Sequence, residues 1–145
     1  MSIGIVTPNS LQGLGTKIGW RLRDGHRLHV SQNYKDAERM LLRMEKPRVI
    51  ITFLPSNMEM SEDTFNSIVK HMGPLDVLLD CVVDPNGEIY ERSEHCRKNS
   101  TQYMSLQIER EGVFVGGPRI AYLENKNLIR KINRRIYYTG GIEEV

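Results

Sequence analysis

Cysteine is nearly missing from this chain: Cys81 and Cys96 are its only two. Two thiols make no disulfide framework, and a reducing compartment would leave both free. Long apolar runs are missing too. No stretch approaches the roughly 18 residues of a membrane span, so no membrane association is expected. The opening MSIGIVTPNS has no basic segment followed by a long apolar one, so no secretory signal is read and the cytoplasm is the expected location. Charge of one sign is scarce: 20 basic against 18 acidic residues leave a net +2, too little by itself to imply nucleic acid. Paired metal ligands are also lacking. His26, His29, His71, His95, Cys81 and Cys96 do not fall at zinc-like spacings, so no metal is expected.

What is present is an alternation of short β-like runs with amphipathic helical stretches, the pattern of a layered α/β fold. The 145 residues suit one domain, 1–145, with no repeat or low-complexity segment. Six strands are predicted, at residues 3–7, 27–31, 48–54, 76–83, 112–116 and 135–139. Helical spacing connects Leu14, Ile18 and Leu22; Ala37, Met40, Leu41 and Met44; and Phe65, Ile68, Val69 and Met72 behind a Ser61 cap. Further helices are read around Asn99 to Arg110 and from Tyr122 to Arg134, with Leu128, Ile129 and Ile132 on one face. Residues 84–98, opened by the turn PNGE, are the longest unpatterned stretch and are expected to be flexible. Strands separated by helices run parallel with right-handed crossovers, which predicts a doubly wound, Rossmann-like six-stranded sheet of order 3-2-1-4-5-6. Ligands of such sheets sit at the carboxyl ends of the strands, where the order reverses.

Four segments carry candidate chemistry. After the first strand, TPNSLQGLG leads into a helix. Gly13 and Gly15 would let backbone approach a pyrophosphate while the helix N-terminus offers free N–H groups; the same pair also suits a tight strand-to-helix turn. In AYLENK, Tyr122 precedes Lys126 by one helical turn, and a nearby ammonium favours a phenolate, so the pair is either an acid/base couple or a surface pair. Glu59, Glu62 and Asp63 suit the start of a helix through its macrodipole. KNLIRKINRR, residues 126–135, holds five cations and no acid; it reads foremost as a solvated helix end, with phosphate contact as the alternative.

These pieces, in this order, resemble the short-chain dehydrogenase/reductase family as a shortened, degenerate member. IVTPNSLQGLG is similar to its glycine-rich turn, with Gly13 and Gly15 at the last two glycines and Asn9 where the first would stand. GPLDVLLDCVV resembles the fourth strand, with Asp80, Cys81, Val82 and Val83 in place of the family's Asn-Asn-Ala-Gly run. AYLENK matches YxxxK, and RRIYYTGGI resembles the sixth strand with its following turn. The resemblance implies Tyr122 as acid/base, Lys126 holding the nicotinamide ribose, and Asn99 as a relay residue. It also implies cofactor contacts from Thr7, Asn9, Gly13, Gly15, Lys126, Thr139 and Gly140, and NAD or NADP as cofactor. At the end of the fifth strand, where the family has a substrate-orienting serine, this chain has Gly116 and Gly117. The acidic residue that would meet the ribose 2′-hydroxyl is not found in VSQNYK, residues 30–35.

The leading functional reading is a catalytically decayed binding or assembly protein, a pseudoenzyme that keeps the scaffold and with it nucleotide binding. The alternative is an NAD(P)-dependent oxidoreductase using Tyr122 and Lys126 on a small carbonyl or alcohol, and a distant third is nucleic-acid binding through the basic last helix. A homodimer formed by the helices near strand five and a protein partner are expected, whereas nucleic acid is not an expected partner.

Overall fold

The computed structural model describes residues 2–7, 17–19, 21–22, 27–31, 34–54, 59–82 and 87–142. Its strands are β1 (Ser2–Val6), β2 (Arg27–Ser31), β3 (Arg48–Thr52), β4 (Val77–Val82), β5 (Gln102–Ile108), β6 (Val113–Gly116) and β7 (Ile136–Gly140). Four helices connect them: α1 (Tyr34–Arg43), α2 (Glu59–Lys70), α3 (Glu88–Lys98) and α4 (Arg119–Ile132). Residues 17–19 and 21–22 are helical as well. All seven strands join one sheet in the order β2-β1-β3-β4-β5-β6-β7.

Every residue of β1 and β3 is buried, as the near-continuous apolar runs SIGIV and RVIIT require of strands covered on both faces. One face is closed by Ile18 and Leu22 together with Ala121, Leu128, Ile129 and Ile132 of α4, packed on Ile3, Ile5, Ile51, Leu79, Met104 and Val115. On the other, Ala37, Met40 and Leu41 of α1, Phe65, Ile68 and Val69 of α2 and Cys96 of α3 cover Val6, Ile50, Leu78 and Tyr103. Helices on both faces make the sheet doubly wound, as expected, and the Rossmann-like α/β class stands.

Three expectations are corrected. Residues 102–108 form β5, not a helix; Met104, Ser105, Leu106, Gln107 and Ile108 alternate apolar and polar, which is the period of a strand. Residues 88–98 of the stretch read as unpatterned form α3, entered through Gly87 at φ 95°. The low apolar content that hid it follows from its solvent side, since only Arg92 and Cys96 are buried. The sheet order also differs. β3 pairs with β1 on the side opposite β2, so the order reverses between β1 and β3, and β3 does not lie outside β2.

The extra strand changes the direction of all that follows. β1 to β5 run parallel, but β5 is joined to β6 by a tight turn in which Glu109 N–H donates to the Gly112 carbonyl at 2.8 Å. A turn this short can only return the chain antiparallel, and β7 then runs parallel to β6. Gly112 is required at the turn: its φ is 151°, and a Cβ there would sit 2.5 Å from the Arg135 carbonyl oxygen.

At the amino edge one guanidinium fastens four segments. Arg48, at the start of β3, donates from Nε and Nη2 to Asp76 at 3.1 and 2.6 Å. It also donates to the carbonyls of Leu41 and His71, both at 2.9 Å, in the last turn of α1 and just past α2. A cation across two helix C-termini satisfies carbonyls that have no intrahelical partner and opposes the negative ends of both dipoles. Asp76 also accepts from Gly73 N–H at 3.0 Å, so neither buried charge lacks partners. Arg48→Met should therefore lower stability by about 3–5 kcal/mol, because Asp76 is left as an uncompensated buried charge. Urea denaturation checks this, and adding Asp76→Asn should restore part of the loss.

Candidate functional site

In a sheet of this kind the crevice lies outside the carboxyl ends of the strands flanking the reversal, here β1 and β3. The parallel ladder continues one residue past each: Thr7 N–H donates to Ser31 O at 3.0 Å and Phe53 N–H to Val6 O at 2.9 Å. Thr7, Ser31 and Thr52 are all buried at this rim. Above β1 the chain re-enters as helix at residues 17–19. A Cβ on Gly19 would lie 3.3 Å from Ile5 Cδ1, so this glycine lets the helix settle close on β1. Gly13, Gly15 and Gly19 give a G-x-G-x-x-x-G spacing, one residue longer than the G-x-G-x-x-G of dinucleotide-binding turns, and Gly19 serves helix–strand packing as the third glycine does there. Sequence reading stopped at the first two; the signal for Gly19 was its place on the apolar face beside Ile18. Ser31 ends β2 where NAD-type sites carry a carboxylate. The described end of β2 therefore holds no acid to repel a 2′-phosphate.

The remaining sequence-predicted residues fall in three places. Asn9, Gly13 and Gly15 lie outside the described residues. Thr7 stands at the rim of β1. Tyr122, Lys126, Thr139 and Gly140 gather at the β7 edge, where the Tyr122 ring stacks on Tyr138 with centroids 4.6 Å apart and Lys126 Nζ lies 5.8 Å from the Tyr122 ring. Thr139 Oγ1 donates to Val115 O at 3.0 Å, and Gly140 O accepts from Gly117 N–H at 3.0 Å. Five strand spacings, about 24 Å, separate β7 from β1. Asn99 caps α3 at the opposite, amino edge and donates from Nδ2 to Val69 O at 3.0 Å. Tyr122 and Lys126 are thus brought together, but neither meets Thr7 or Asn99.

Beneath the carboxyl rim lies a polar cluster that sequence reading missed. Asp80 of β4, fully buried, accepts from Thr52 Oγ1 at 2.9 Å, Tyr103 Oη at 2.7 Å and Arg92 Nη1 at 3.0 Å. Arg92, itself 1% exposed, also donates from Nε and Nη2 to Glu62 at 3.1 and 2.6 Å and lies over the Phe65 ring at 5.2 Å. Glu62, in the first turn of α2, also bridges α2 to α3. Burial pushes the Asp80 carboxyl above its usual range, while the Arg92 charge and the three donors oppose that push. Burial and the neighbouring Asp80 charge likewise raise Tyr103 well above its ordinary value, which keeps it a donor. The same two causes raise Cys81 and push Cys96 up to about 12, so both free thiols are inert. Among the described residues no group of His, Cys, Asp and Glu could hold a metal ion, and no helix is long and apolar enough to cross a membrane.

No family model matches the chain, and no curated protein matches it. Solved structures do. The chain is similar to 3-hydroxyisobutyrate dehydrogenase of Mycobacterium tuberculosis, with TM-score 0.74 and 13% identity over 97% of this chain and 54% of that one. For a variant imine reductase from Myxococcus stipitatus in complex with NAD+, the values are 0.75, 8%, 96% and 54%. For 6-phosphogluconate dehydrogenase of Plasmodium falciparum they are 0.72, 16%, 97% and 37%. The shared feature is the Rossmann-type fold of oxidoreductases, and this chain spans about half the length of the first structures it matches.

Arg92→Leu tests the cluster. Losing the guanidinium removes an influence that lowers the Asp80 pKa, so Asp80 rises further and a proton can relieve its burial. The destabilisation should be about 3–5 kcal/mol near neutral pH. It should shrink as pH falls from 7 toward about 4, because a raised carboxyl is stabilised on the acid side and loses that stability as pH climbs. Denaturant midpoints measured across this range give the comparison.

Proposed function

We infer that this chain is a nucleotide-binding Rossmann module acting as a binding or assembly protein, with NAD(P) held at the carboxyl rim of β1 and β3. One observation carries the reading: the sheet order reverses at β1, and the helix entering above that strand is seated on it through Gly19. The likeness of fold to oxidoreductases, one of them solved with NAD+, supports it. The wide separation of Thr7, Tyr122 and Asn99, together with Gly116 and Gly117 in place of a carbonyl-orienting serine, favours binding without turnover. Backbone N–H groups of the turn at Gly13 and Gly15 would hold the pyrophosphate, and the bound dinucleotide would supply redox chemistry only if a substrate site were completed beside it.

Titration with NAD(H) and NADP(H), followed by calorimetry and the fluorescence of Trp20, the only tryptophan, tests this. Saturable binding is expected, with NADP(H) bound no more weakly than NAD(H) because Ser31 replaces the acid. Gly15→Val should weaken it by roughly tenfold or more, since a side chain blocks the close backbone approach. Absence of saturable binding overturns the reading.

The second reading, an oxidoreductase using Tyr122 and Lys126, draws on their contact across one helical turn. It requires NAD(P)H oxidation with a small carbonyl that is lost in Tyr122→Phe. We expect no such turnover, and a melting temperature in Tyr122→Phe close to that of the parent, because the ring stacked on Tyr138 is retained.

A further inference from the structure

At the carboxyl end of α4 the fold gathers cations that the sequence keeps apart. A cleft of about 650 Å³ is lined by Arg21, Arg110, Arg130, Lys131, Arg134 and Arg135, with Glu111 as its only acid among the described residues. They come from three segments: the helix above β1, the β5–β6 turn, and the end of α4 with the residues leading into β7. Arg21 Nη1 donates to the Ile132 carbonyl at 2.6 Å, which fixes the first segment to the third. The Glu109–Gly112 turn fixes the second, with Gly112 so close to Arg135 that a side chain would collide with it. In a chain of net charge +2, six cations around one cleft are a local field and not a general property.

A second observation lies across the β5–β6 turn from this cleft. Phe114 of β6 and Tyr137 of β7 stack with centroids 5.1 Å apart and planes at 22°, and Tyr137 is 45% exposed. Val113 and Val115 point into the core beneath α4, so Phe114 lies on the other face of the sheet. Tyr137 reaches back to the charged turn: its Cε2 is 3.0 Å from where a Gly112 Cβ would stand. An exposed aromatic face just across the β5–β6 turn from a cationic cleft suits both things an unpaired strand presents, a base to stack and phosphates to neutralise.

We propose that this end of the molecule binds single-stranded nucleic acid, its phosphates in the cleft of Arg110, Arg130, Lys131 and Arg134 and a base on Tyr137. A stacking surface distinguishes this ligand from a bare polyphosphate, which would use the cations alone. A duplex keeps its bases stacked inside and gains nothing from the tyrosine. Apart from Arg21, its residues come from the β5–β6 turn, the end of α4 and the lead into β7, so it is tested separately from NAD(P) binding.

The test is fluorescence anisotropy with a labelled oligo-dT and oligo-U of about 20 nucleotides, between roughly 50 and 200 mM salt. Both should bind, with affinity falling as salt rises. Arg130→Gln with Arg134→Gln should flatten the log–log salt dependence by about 1.4, two phosphates' worth for a single strand. Tyr137→Leu should weaken binding by roughly five- to a hundredfold, whereas Tyr137→Phe should keep it. NAD(P) titrations should be unchanged in all three variants, which separates failure here from failure of the nucleotide site. Four results would each overturn the proposal: no binding at the lowest salt; equal affinity for a duplex of the same length; displacement by inorganic polyphosphate with no effect of Tyr137→Leu; or binding to vesicles of equal phosphatidylcholine and phosphatidylserine but not to the oligonucleotides.

Discussion

A carboxylate without access to water sits in the middle of this sheet, and its need for partners organises the elements around it. Asp80 draws a hydroxyl from β3, a phenol from β5 and a guanidinium from α3, and that guanidinium in turn holds a carboxylate on α2. Three adjacent strands and two of the three helices on one face, α2 and α3, are thereby tied through directed contacts. Hydrophobic burial is non-directional and would tolerate α2 and α3 sliding along the sheet. Donors at 2.7 to 3.1 Å do not tolerate it, because any displacement exposes a buried charge to an apolar surrounding.

The Arg48–Asp76 pair performs the corresponding task at the other end of the same strands. It terminates α1 and α2 while the Asp80–Arg92 cluster positions the opposite end of α2 and the first half of α3, so α2 is held at both edges. The other face has no comparable charge network among the described residues. There α4 and the helix at 17–22 pack through aliphatic contacts, with Arg21 reaching the Ile132 carbonyl as a polar link between them. That less specified face is where the cationic cleft forms.

The antiparallel turn at Glu109–Gly112 decides where chemistry can be placed. Had residues 102–108 been a helix, β6 would have followed in parallel, and α4 would have started from the carboxyl rim. Because they are a strand, α4 starts low on the sheet and rises, which sets Tyr122 in its first turn over β7 and delivers Arg130 to Arg135 to the rim. A Tyr–Lys pair and a run of cations four to thirteen residues apart in sequence thus end up in different surroundings.

The sequence by itself determined the α/β class and most of the elements, because period-two and period-3.6 apolar spacing is a local property: Ile3 and Ile5, Ile50 and Ile51, and Phe65, Ile68 and Val69 are buried where their spacing places them. It also determined that Tyr122 and Lys126 share a helical face, since four residues make one turn. Tertiary structure alone decided the sheet order, the reversal of β6, and the company of each charge. β5 carries the period-two alternation Met104, Ser105, Leu106, Gln107, Ile108 and was legible as a strand; what the sequence does not announce is that its next neighbour, β6, returns antiparallel. Asp80, Arg92 and Glu62 read as unrelated charges, 12 and 30 residues apart. Only the folding of β4, α3 and α2 against one another removes the water that would otherwise keep them so.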